Sequence, residues 1–278
     1  MKLAKLLQET SQKLSSITDS PRLEAECLLS HALSITRSEI YAYPEMELSE
    51  IQLKSFPLLM ERRIQGEPLA YILGLKEFWS LGFKVTPATL IPRPETESLV
   101  EWMLVNFPND QTLKIADLGT GSGAIALSLA SERPHWKITA TDQSSEALDI
   151  ARYNAKKLGI LNVELLESDW CEALKENQYF AIVSNPPYIE PNDPHLTQLQ
   201  WEPKSALVAG ENGLSDLRSI IETAHHYLSK NGYLVLEHAF DQSQPVQSLL
   251  RQNGYKSIES HPDLNDHLRF TTASKIGF

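Results

Sequence analysis

The sequence predicts an α/β fold, a parallel sheet with helices on both faces, preceded by a small helical domain. Two patterns carry this. From about residue 112, apolar runs at 113–118, 137–141, 162–166, 179–184 and 233–238 alternate with helical segments at 122–132, 144–158 and 214–229, as strands joined by crossover helices do. Before residue 65 the period is helical instead: Leu3, Leu6, Leu7, Leu14 and Ile17 fall on one stripe.

In chain order, Asp19-Ser20-Pro21 reads as a helix start, with Pro21 in the first turn where its missing N–H costs nothing, and the stripe resumes from Leu23 to Leu33. Ser49 and Gln52 have the spacing of a capping box before a third helix, which Pro57 kinks or delays and Gly66 ends. Residues 67–92, EPLAYILGLKEFWSLGFKVTPATLIP, are rich in aromatic, β-branched, Gly and Pro residues and read as a short hairpin and a linker. Residues 94–107 form a further helix, and strands at 255–260 and 268–274 close the chain. The predicted division is a helical domain with its hairpin linker, 1–85, and a sheet domain, 86–278.

Composition narrows the function classes. The net charge is −11 and the pI about 5.2. Residues 1–85 hold 10 Lys and Arg against 11 Asp and Glu, a net −1, so −10 of the −11 lies beyond them. Nucleic-acid phosphates demand clustered Lys and Arg, so a direct nucleic-acid substrate is not expected. The two cysteines, Cys27 and Cys171, make no disulfide framework and no metal-type spacing. No continuous apolar stretch reads as a signal peptide or membrane span, and a cytoplasmic setting is expected.

The chemistry begins at the strand Lys114–Leu118, which runs into Gly119-Thr120-Gly121-Ser122-Gly123 and then a helix. Glycines let backbone approach a ligand, and the helix N-terminus offers free N–H groups. Asp142 ends the next strand, 23 residues after Gly119, where a carboxylate accepts from both ribose hydroxyls. Asp169 and Trp170 follow the strand after that: Asp169 as acceptor for an exocyclic amine, Trp170 as a surface for an adenine ring. These features fit a dinucleotide or S-adenosylmethionine equally, since Gly119, Gly121 and Ala124 also satisfy G-x-G-x-x-A.

Asn185-Pro186-Pro187-Tyr188 decides between them. It follows the strand Tyr179–Ser184, at the sheet edge where α/β proteins place ligands. The prolines stiffen the loop and remove two donors, leaving the Asn185 carboxamide oxygen and the Pro186 carbonyl as acceptors beside an aromatic ring. That suits an –NH2 on a planar π-system. Two acceptors hold its hydrogens, aim its weak lone pair and favour the positive charge that develops during methylation. Tyr188 stacks on the planar group and excludes water. A nicotinamide-dependent dehydrogenase finds no hydride-transfer acid or base here.

DLGTGSG followed by NPPY resembles the class I amino-methyltransferases. Leu90-Ile91-Pro92-Arg93-Pro94-Glu95-Thr96-Glu97, Glu77-Phe78-Trp79 and Ser184-Asn185-Pro186-Pro187-Tyr188-Ile189 resemble release factor glutamine N5-methyltransferases, over nearly the whole chain. The resemblance implies a Rossmann-like seven-stranded sheet whose last strand inserts antiparallel. It implies S-adenosylmethionine as cofactor, bound by Gly119 to Gly123, Asp142, Trp170 and Asn185. The substrate it implies is the glutamine of the Gly-Gly-Gln motif of class I peptide chain release factors, in a pocket of Asn185, Pro186, Pro187 and Tyr188. The first domain is then a substrate-docking module. Methylation of a ribosomal-protein glutamine, or of a base amino group, uses the same loop, whereas a non-enzymatic nucleotide-binding module would not need Asn185. His225-His226 read as surface and packing residues, and Glu237-His238 carry no assigned role. Arg93 either meets a protein backbone or braces the linker, and the 262–269 segment reads only as a hairpin.

Overall fold

The computed structural model describes residues 1–275, and the chain divides into two compact units, Met1–Gly74 and Leu75–Phe278. The first holds α1 (Leu3–Leu14), α2 (Pro21–Leu33), α3 (Arg37–Ala42), α4 (Phe56–Ile64) and α5 (Leu69–Leu73) around Leu3, Leu14, Leu28, Leu29 and Ile40. Ser49 and Gln52 do bond reciprocally, but they close only a turn, and the helix starts at Phe56 with Pro57 in its first turn. Thr36 and Glu39 form the unit's true capping box, at the start of α3. Glu26 is buried and takes bonds from Arg22 at 2.9 Å and Arg37 at 2.8 Å, and also from Tyr41. Burial alone would raise its pKa. Those three donors outweigh it and hold the carboxyl below its ordinary value.

The division falls at Gly74, not at residue 85, because the hairpin belongs with the sheet. Its strands β1 (Leu75–Phe78) and β2 (Leu81–Lys84) bury Phe78 and Phe83, edge to face at 6.2 Å, among Leu99, Met103 and Leu127. Asn154, fully buried, accepts from Lys84 N and donates to the carbonyls of Lys84 and Ser122. One carboxamide thus ties the hairpin's end to the glycine loop.

After α6 (Glu97–Asn106), the second unit alternates: β3 (Lys114–Leu118), α7 (Ala124–Glu132), β4 (Lys137–Asp142), α8 (Ser145–Leu158), β5 (Val163–Glu167) and β6 (Tyr179–Ser184). A single turn α9 (Gly210–Gly213) leads into α10 (Ser215–Tyr227), β7 (Leu228–Glu237), α11 (Ser243–Gln252), β8 (Lys256–Pro262) and β9 (Leu268–Ser274). The seven-stranded sheet has the order β5-β4-β3-β6-β7-β9-β8. Strands β3 to β7 pair in parallel, and β9 inserts antiparallel between β7 and β8. Strand alternation builds two cores. Ile115, Ala181, Val183 and Val235 face one core with α6 and α7; Ala116, Ile182, Leu234 and Leu236 face the other with α10 and α11.

Candidate active site

Strand order reverses between β3 and β6, so the two segments that carry the chemistry leave the sheet side by side. Leu118 pairs with Ser184, whose Oγ donates to the Leu118 carbonyl at 2.7 Å. Such a switch point opens a crevice at the carboxyl ends of the strands.

In the glycine loop, Thr120 Oγ1 donates to Asp117 Oδ2 at 2.6 Å, Ala126 N reaches the same oxygen at 3.2 Å, and among the described residues Asp117 Oδ1 has no partner. Burial pushes the Asp117 pKa up to about 7 against those bonds, and Asp142 adds to the rise. The folded state therefore holds this proton where the unfolded chain, near 3.8, has lost it. The stability it contributes is present below 3.8 and lost as pH rises toward about 7. Asp117→Asn cannot ionise and is expected to flatten part of the decline in Tm between about pH 4 and 7. Melting curves across that range check it, and parallel wild-type and variant profiles would sink it.

Gly119 has φ +69°, and a Cβ there would lie 3.3 Å from the Trp170 ring, so the loop passes directly beneath the indole. Asp142 Oδ2 accepts from Gly121 N at 2.8 Å and Oδ1 from Ser144 N at 2.9 Å. Burial raises its pKa, offset in part by these amides. Each carboxylate oxygen retains a lone pair for a ligand hydroxyl. Gly119, Gly121, Asp142, Asp169, Trp170 and Asn185 line one cleft. Its other wall comes from Ala88, Thr89 and Leu90 and from Pro203, Ser205 and Ala206.

A second cavity lies behind Asn185 and is lined by Pro186, Tyr188, Arg93, Glu95, His195 and Arg269 among others. The two cavities share Asn185, Leu90 and Ala206. Asn185 Nδ2 donates to Thr96 Oγ1 at 3.2 Å, and among the described residues Oδ1 has no protein partner. Tyr188 donates its hydroxyl to Glu237 Oε1 at 3.2 Å. Burial pushes Glu237 up to about 7, although Thr96, Arg269 and Tyr188 each offset part of the rise. Burial also drives the Tyr188 phenol far above its ordinary value, so it stays a neutral donor. The loop's backbone is clamped from behind: Gln242 Nε2 donates to the Tyr188 carbonyl at 3.1 Å. Gly213, φ +79°, approaches so closely that a Cβ would lie 2.1 Å from that carbonyl oxygen.

The predicted residues separate into two groups. Gly119, Gly121, Asp142, Asp169, Trp170, Asn185 and Pro187 face the first cleft, and Asn185, Pro186 and Tyr188 face the second cavity. Thr120, Ser122 and Gly123 line neither. Thr120 bonds Asp117, the Ser122 carbonyl bonds Asn154, and Gly123 starts α7, so they shape the loop from within. Trp170 also packs against the second core. Arg93 braces: its Nη2 meets Glu202 Oε1, while Ile91 N reaches Glu202 Oε2, tying the 87–96 segment to the loop that supplies Pro203 to Ala206. That loop returns to the sheet edge through Ile189 N to the Leu207 carbonyl and Ala209 N to the Ile189 carbonyl. The 262–269 segment is a hairpin whose Asp263 holds Arg269 at 3.1 Å, presenting a half-buried guanidinium to the second cavity. Thr96, Glu237, Glu202 and Arg269 are site residues that sequence reasoning missed. A carboxylate ending a central strand, as Glu237 does, was the available signal.

Comparison with known proteins matches this architecture. Residues 5–74 match the family model described as PrmC N-terminal domain, and residues 96–202 match Methyltransferase small domain. The chain is 51% identical to the release factor glutamine methyltransferase of Coxiella burnetii, over 95% of this chain and 96% of that one. It is 48% identical to that of Salmonella typhimurium, over 91% and 92%. A solved methyltransferase from Pyrococcus furiosus, 19% identical, superposes with a TM-score of 0.55 over 78% of this chain and 98% of its own, which speaks to the fold. No helix among the described residues is long and apolar enough to cross a membrane. With about half its residues shared with such relatives over more than nine-tenths of its length, the chain belongs to the release factor glutamine methyltransferase family.

Proposed function

We infer that this chain transfers a methyl group from S-adenosylmethionine to the side-chain amide nitrogen of the glutamine in the Gly-Gly-Gln motif of class I peptide chain release factors. The observation that carries the reading is the meeting of two cavities at one acceptor-bearing side chain, Asn185.

The first cleft fits the cofactor by its donor set. A carboxylate for ribose hydroxyls, glycine backbone for close approach and an indole with an acid for adenine converge there. When bound, the cofactor supplies an electrophilic methyl group. The protein does the rest by positioning. The Asn185 Oδ1 and the Pro186 carbonyl take the two amide hydrogens, which turns the nitrogen lone pair toward the shared opening at Leu90 and Ala206. Charge that develops on nitrogen is met by these same dipoles, fixed beforehand. Tyr188 covers the amide plane, and the proton of the methylated cation leaves without a strong base. The helical first unit supplies a second surface for the release factor. One glutamine side chain in a pocket buries little, and a tethered second contact raises affinity through effective concentration.

Radiolabel from S-adenosylmethionine is expected in release factor, on the Gly-Gly-Gln glutamine, and a label found only in nucleic acid or in a ribosomal protein would overturn the reading. Calorimetry is expected to show binding of S-adenosylmethionine and not of NAD. Asp142→Ala should weaken cofactor binding by about 10–100-fold, since it loses bonds to a charged group worth about 1.5–3 kcal/mol and frees the Gly121 amide. An unchanged affinity would remove Asp142 from the cofactor site.

A further inference from the structure

Thr96 ends a single 3-10 turn, Pro94–Thr96, that runs straight into α6, and its own backbone is helical, with φ −66° and ψ −20°. Its hydroxyl is therefore not called on to cap the helix and is available to a partner outside it. Thr96 is 4% exposed, and its Oγ1 accepts from Asn185 Nδ2, 89 residues further along the chain. A buried hydroxyl whose partner is a side chain of the site acts on how that side chain is turned.

The role of that hydroxyl follows from the polarity of the network. Thr96 accepts from Asn185, so its own proton is left for an acceptor. The group facing it there is the Glu237 carboxyl, which is 1% exposed at the end of β7. Oε1 of Glu237 takes the Tyr188 hydroxyl, and among the described residues Oε2 has no hydrogen-bond partner, so the carboxyl has acceptor capacity to spare. With the Glu237 carboxyl ionised, as it is above about pH 7, a chain running from Asn185 to Thr96 to Glu237 has one sense only. If the Asn185 amide turned over, its oxygen would need the Thr96 proton, and the buried carboxyl would lose a donor. The turned amide would also present N–H donors to a substrate –NH2, donor against donor.

We propose that Thr96, backed by Glu237, is a positioning residue that fixes the Asn185 carboxamide with its oxygen toward the substrate amide and its nitrogen away from it. The proposal deepens the glutamine-methylation reading and rests on it. The same buried carboxyl holds Tyr188, so one group behind the loop orients both the acceptor and the stacking ring.

The test is a double-mutant cycle on the full chain, with intact release factor as substrate. Thr96→Val keeps the volume and removes the hydroxyl. It is expected to lower kcat by about 10–100-fold, as a misplaced reacting group does, while calorimetric affinity for S-adenosylmethionine stays within about twofold. Thr96→Ser restores the hydroxyl and is expected to recover kcat to within about threefold of wild type. In an Asn185→Ala background, Thr96→Val is expected to add less than about a twofold loss, because its effect runs through the missing amide. The proposal is overturned if Thr96→Val alone retains kcat within about threefold, or if it costs the same factor with and without Asn185. It is also overturned if Ser and Val variants fall together. Wild type that labels a different amide or amine acceptor would sink the release-factor reading alone, and the same cycle is then read on that acceptor.

Discussion

Asn185→Ala is expected to fold, to bind the cofactor and to lose methyl transfer by about 10²–10³-fold in kcat, the scale set by removing one preorganised polar group from an active site. Folding should survive because, among the described residues, the side chain makes a single hydrogen bond, to Thr96, and is only partly buried. Cofactor affinity should fall only modestly, because Asp142, Trp170 and the glycine loop remain to line the cleft. What disappears is the acceptor between the two cavities. The substrate –NH2 then keeps one fixed partner, the Pro186 carbonyl, and its lone pair is no longer aimed. Single-turnover rates on release factor measure the loss, and a variant within a few-fold of wild type refutes the role.

Gly213→Ala is expected to damage the same loop from behind. The backbone at +79° carries a cost of about 1–2 kcal/mol for any residue with a Cβ. The new methyl would stand 2.1 Å from the Tyr188 carbonyl oxygen and 2.6 Å from Gln242 Nε2. Neither can retreat without breaking the bond between them, so overpacking adds about 1–3 kcal/mol. A total near 3 kcal/mol corresponds to a Tm lowered by about 6–12 °C for a unit of this size. Methyl transfer should fall even where the variant is fully folded, because the carbonyl that is pushed belongs to Tyr188. Gly210→Ala is the control. A Cβ there meets nothing closer than 3.7 Å, and its Tm should stay within about 2 °C of wild type. Equal losses at both positions would show that the clamp on Tyr188 is not what matters.

How much was legible follows from where each feature stores its information. The sheet was readable because parallel strands buried on both faces appear as continuous apolar runs, and the motifs at their ends are contiguous in sequence: Gly119 to Gly123, Asp142, Asp169-Trp170 and Asn185 to Tyr188. The hairpin was recognised but assigned to the wrong side of the division, since Phe78 and Phe83 look alike whichever core they enter. Thr96 and Arg269 were illegible for a different reason. Each lies far along the chain from Asn185 and Tyr188, and each has an ordinary local reading, as a helix-start residue or a hairpin residue, whereas Glu237 gave at least the signal of a carboxylate at a strand end. Arg93 was left between two roles because its partner, Glu202, lies in a loop with neither helical nor strand period. Within the glycine loop, sequence alone could not separate residues that meet a ligand from those that, like Thr120, hold the turn by bonding Asp117.

The two cavities adjoin at Asn185, Leu90 and Ala206, each of which lines both of them. For inhibition, this makes the junction the weakest point of the enzyme's selectivity and the most useful one for a chemist. A bisubstrate compound, with an adenosine head for one cleft and a short primary amide on a linker for the other, would lose its translational and rotational freedom once and occupy both subsites. The linker has only that junction to cross. Compounds with too long a tether would bind no better than their adenosine half.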